Sequence, residues 1–159
     1  MVRVPPISVP CAVLDASAMI ALCAKEPNRY ALAQAEVTRL AGIGCLFYAP
    51  NIIIGESLYV LRRKLTDAAL AAAEHALAVR SLQVRMAVVL PPPSGESSLI
   101  RRANQICDNY GASRSNDSLY VALAEQLEQT YVTHLLTFDQ NMSKQAARNA
   151  PAVSVHLLT

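Results

Sequence analysis

The stretch CAVLDASAMIALCAK, Cys11–Lys25, decides the fold. Its first four residues are apolar without alternation, as suits a strand buried on both faces, and its last nine carry the small and apolar residues of a packed helix. Asp15 stands at the join, and Ser17 supplies a cap for the helix. A strand that runs straight into a helix is the opening of a parallel α/β unit.

The same grammar repeats along the chain. NRYALAQAEVTRLAG (28–42) reads as a helix closed by Gly42, and CLFYAP (45–50) as a strand stopped by Pro50. Two helices come next, NIIIGESLYVLRRKL (51–65) and TDAALAAAEHALAVRSL (66–82), the second capped by Thr66. RMAVVL (85–90) reads as a third strand cut off by the prolines at 91–93. SGESSLIRRANQICDNYG (94–111) is helical up to Gly111, and SNDSLYVALAEQL (115–127) is helical again, capped by Ser115 or Asn116. THLLTF (133–138) is a fourth strand, NMSKQAARNA (141–150) a short helix and AVSVHLL (152–158) a fifth strand. Continuous apolar strands alternating with amphipathic helices predict a three-layer α/β/α sandwich around a five-stranded parallel sheet. With no repeats or linkers, residues 1–159 are expected to form one domain, its residues 1–10 a proline-bearing extended leader.

Composition narrows the function. The hydrophobic share of 53% is high and the charged share of 16% low, which leaves apolar surface for self-association and predicts a homodimer. A net charge of +2 permits a polyanionic partner without requiring one. Cys11, Cys23, Cys45 and Cys107 form no C-x-x-C pair, which argues for reduced thiols rather than a zinc site. No apolar run reaches the roughly 20 residues of a membrane span, so a cytoplasmic protein is expected. There is no P-loop, dinucleotide fingerprint or serine elbow.

Parallel sheets carry their sites at the carboxyl ends of the strands. Asp15 ends the first strand and Asp139 the fourth, in LLTFD; Asp117 lies in the first turn of its helix. Glu56 interrupts the otherwise apolar NIIIGESLYVL, about a turn and a half into the helix after strand two. Four acids from four elements can meet at one sheet edge. Carboxylates gathered in an apolar hollow repel one another unless a divalent cation neutralises them, and oxygen ligands suit Mg²⁺ or Mn²⁺. Phosphodiester hydrolysis by metal-activated water is the chemistry such sites serve.

The segments VLDASAMIALCAKEP, APNIIIGESLYVLRRK, SNDSLYVALAEQL and LLTFDQNM resemble PIN domains, in particular the small stand-alone ones typified by VapC toxins. The resemblance implies a five-stranded sheet in the order 3-2-1-4-5 and a metal-dependent endoribonuclease. It implies an acidic quartet of Asp15, Glu56, Asp117 and Asp139, with Ser17, Asn116 and Thr137 as polar support. It also implies an RNA substrate and, for a toxin, an antitoxin that blocks the site. Arg62, Arg63 and Lys64, with Arg101, Arg102 and Arg114, are weaker candidates for phosphate contact, since a solvated helix end explains such clusters as well. His75, His134 and His156 have no nucleophile beside them in sequence and read as structural. Two rivals stand beside the nuclease. One is a phosphatase with Asp15 as nucleophile, which lacks its second acid because Ser17 takes that place; the other is a degenerate PIN module that binds RNA or protein without cleaving.

Overall fold

The computed structural model describes residues 7–109 and 115–159. Among these residues lie four parallel strands and seven helices. They are β1 (Ile7–Leu14), α1 (Ala16–Ala24), α2 (Arg29–Gly42), β2 (Leu46–Tyr48), α3 (Ile52–Thr66), α4 (Ala72–Met86), α5 (Ser97–Asn109), α6 (Ser115–Glu128), β3 (Tyr131–Thr137), α7 (Gln140–Asn149) and β4 (Ser154–Leu157). The strand order is β2-β1-β3-β4, all pairs parallel. Cys11, Ala12, Val13 and Leu14 are all buried, so central strand β1 is covered on both faces. One helical group packs α1 against α2, α3, α4 and β3; the other packs α6 against α5, α7, β1 and β3.

The expected five-stranded sheet is corrected to four. Residues 85–90 do not form a strand: α4 runs on through Met86, and only Leu90 reaches the sheet edge, as an isolated parallel bridge to Tyr48. Its N–H donates to the Phe47 carbonyl at 2.8 Å and its carbonyl accepts from Ala49 N at 3.1 Å. Pro91, Pro92 and Pro93 come at once after it, with no N–H to extend the ladder. The expected order 3-2-1-4-5 thus shrinks to its last four members, with Leu90 marking where the outermost strand would stand.

Three terminus assignments also shift. Thr66 does not cap α4; it closes α3, its hydroxyl donating to the Arg62 carbonyl at 3.1 Å. α4 starts six residues later, where Glu74 reaches back to accept from Ala71 N at 2.7 Å. Ser17 does not cap α1, because Asp15 does, accepting from Ala18 N at 2.8 Å. The leader is shorter than expected, since residues 7–10 belong to β1. Gly111, Arg114 and the side chain of Ser115 lie outside the described residues.

Candidate functional site

At the carboxyl edge of the sheet β1 and β3 each run almost directly into a helix, and each of these two turns places an aspartate at the helix start. Asp15 is the N-cap of α1, and Asp139 is the N-cap of α7, accepting from Asn141 N at 2.7 Å and Met142 N at 3.4 Å. β1 and β3 are hydrogen-bonded neighbours, so the two caps emerge side by side. Asp117 sits in the first turn of α6. Three of the four acids therefore stand at helix N-termini, where unpaired N–H groups and the helix dipole favour negative charge.

Thr137 ties the first two acids together. Its Oγ1 donates to Asp15 Oδ2 at 2.6 Å and accepts from Asp139 N at 2.9 Å. Ser17 Oγ donates to Asp15 at 2.7 and 2.9 Å and accepts from Phe138 N at 2.9 Å, locking the β3–α7 turn to the start of α1. Glu56 comes from α3 and meets α6: Asn116 Nδ2 donates to its Oε1 at 3.0 Å, and Tyr120 Oη donates to its Oε2 at 2.5 Å.

The electrostatics join these pairs. Asp15 is wholly buried, and desolvation pushes its carboxyl up to about 6 against the lowering by donors from Thr137, Ala18 and Ser17; the nearby Asp139 charge raises it further. Burial and the Glu56 carboxylate push the Tyr120 phenol well above its ordinary value, with Asp15 and Asp117 adding in the same direction. Tyr120 thus lies within the fields of three acids, and Asp15 within that of the fourth. Among the described residues, no ion pair reaches Asp15, Glu56 or Asp139. No three His, Cys, Asp or Glu side chains among those residues are gathered tightly enough to hold an ion as they stand. The four acids offer only oxygen donors, the kind that suits a hard divalent cation.

The basic candidates are placed less favourably. Lys64 pairs with Glu26 at 2.7 Å and exposed Arg63 with Asp67 at 3.4 Å, leaving Arg62 at the exposed end of α3. Arg102 is committed to Glu125 at 2.6 and 3.0 Å and to the Asn149 carbonyl at 3.1 Å, clamping α5 to α6 and the end of α7. Arg101 is exposed. His134 and His156 form a network with Glu36. Tyr120 escaped the sequence reading. Its signal was available, since a tyrosine in the apolar run LYVALA is buried only when its hydroxyl finds a partner, and it lies one turn beyond Asn116.

No helix among the described residues is long and apolar enough to cross a membrane. No curated protein matches the chain. The family model described as PIN domain matches residues 12–148, a span that takes in all four acids and both aspartate-bearing turns. PIN domains are generally nucleases that use divalent metal ions and act on RNA or DNA, and with most of its length matched the chain belongs to the PIN domain family.

Proposed function

We propose that the protein is a Mg²⁺- or Mn²⁺-dependent endoribonuclease. The observation that carries this reading is the set of contacts at the carboxyl edge of a PIN-domain sheet: Thr137 links Asp15 to the Asp139 backbone, and Tyr120 holds Glu56 within the fields of Asp15 and Asp117. When bound there, a divalent ion would polarise the scissile phosphate and lower the pKa of water. The chain's own residues supply the rest. The four carboxylates would hold the ion, and three of them, Asp15, Asp117 and Asp139, stand at helix starts. Ser17 and Thr137 fix the rotamer of Asp15, so little ordering cost remains when substrate arrives. Asp15, a buried acid raised to about 6 with no cationic partner among the described residues, would be stabilised in its ionised form by an arriving cation.

Asp117→Asn and Asp15→Asn are expected to lower RNA cleavage by about 10² or more, because each removes a charged ligand. Full activity in EDTA, or undiminished activity of Asp117→Asn, rejects the reading. The rival in which the domain binds RNA without cutting draws on the acids not being gathered as they stand. A cleavage time course with Mn²⁺ separates the two, since the binding module gives retained RNA and no product.

The reading extends to assembly and regulation. α3 and α4 expose Leu58, Tyr59, Leu77 and Val84, which suits a homodimer interface. A toxin role adds an antitoxin partner covering the acids, tested by whether a protein that co-purifies with the chain suppresses cleavage.

A further inference from the structure

Glu56 is the one acid of the four that does not stand at a helix start. It lies in the second turn of α3, where neither a dipole nor a local N–H fixes it, and a free glutamate carboxylate would swing about three side-chain bonds. The structure pins it from the opposite helix. Asn116 and Tyr120, one turn apart on α6, each donate to a different carboxylate oxygen, so the plane of the Glu56 carboxylate is set at two points. Asn116 is half-buried, whereas Tyr120 is 1% exposed, its ring held in the core between the sheet and the helices. The buried residue is the rigid one of the two.

We propose that Tyr120 is a positioning residue of the ion site, acting through Glu56: its hydroxyl holds the carboxylate of α3 in place against α6, where Asp117 also sits. This rests on the reading of the four acids as ion ligands. Tyrosine is needed here in place of phenylalanine because the ring alone would fill the same space, while only the hydroxyl reaches Oε2. Groups that orient ligands in this way typically change metal affinity by about 10- to 100-fold when removed.

The test is calorimetric titration of the RNA-free protein with Mn²⁺, for wild type, Tyr120→Phe, Glu56→Gln and the double variant, beside melting curves in EDTA. Tyr120→Phe is expected to weaken Mn²⁺ binding about 10- to 100-fold while keeping a single cooperative melt, and to raise the Mn²⁺ concentration for half-maximal cleavage without changing the KM for RNA. In the Glu56→Gln background the same change is expected to cost no further affinity, because the residue it acts through is already gone. Wild-type affinity in Tyr120→Phe, or losses that simply add in the double variant, overturns the proposal. Wild-type protein that binds no Mn²⁺ overturns the nuclease reading on which it stands, which is a different result.

Discussion

Ser57, next to Glu56 on α3, is wholly buried, and its hydroxyl has no hydrogen-bond partner among the described residues. Such a group loses its hydration without compensation, at a cost of about 1–3 kcal/mol. Ser57→Ala is therefore expected to stabilise the fold by about 1 kcal/mol, raising Tm by about 2–4 °C for a chain of this length. An unchanged or lower melting temperature in a thermal scan refutes this account of the hydroxyl. Its neighbour shows the opposite treatment, since both oxygens of Glu56 have donors. Two adjacent polar side chains on one helix are thus handled differently, one satisfied and one orphaned. Nothing in the order Glu-Ser distinguishes them; the position of α6 does.

At the scale of elements, the outer strand of the sheet is tied to a helix by a chain of titratable groups. His134 on β3 and His156 on β4 lie 2.8 Å apart through Nδ1 and Nε2, and His156 Nδ1 lies 3.0 Å from Glu36 on α2. Arg39 holds the same Glu36 at 2.6 and 3.0 Å. Burial, then the His156 and Arg39 charges, push His134 below its ordinary value, with Glu36 pulling weakly the other way. A histidine depressed in the fold takes up its proton first in the unfolded chain. Its contribution is intact above about pH 6.5 and is lost as the pH falls from there through the depressed folded value. Urea unfolding at stepped pH is expected to show stability declining below that point, with a shallower decline in His134→Asn. An identical slope in that variant would place the acid sensitivity elsewhere.

For the whole molecule, the excess of apolar residues left on α3 and α4 predicts self-association. Leu77 and Val84 are 66% and 64% exposed and lie two turns apart on one side of α4. Light scattering at tens of micromolar is expected to give twice the 17.1 kDa chain mass, and Leu77→Glu to give the chain mass with the melting curve unchanged. A monomeric wild type ends the dimer proposal. The sequence by itself determined the parallel α/β plan, because continuous apolar strands can only be buried between two helical layers. It also marked where Asp15, Asp117 and Asp139 stand, because sites at strand ends and helix starts are encoded by residues adjacent along the chain. Tertiary structure decided the rest. The Arg85–Leu90 segment has a strand's composition, yet α4 draws off its first two residues and the prolines after Leu90 stop the ladder, leaving one bridge at that residue. The pairing of Glu56 with Asn116 and Tyr120, and of His134 with His156 and Glu36, spans 60 and 64 residues in one case and 22 residues between the histidines in the other. Local periodicity carries no information at such separations, because which helix face meets which is set by the packing of the layers as a whole.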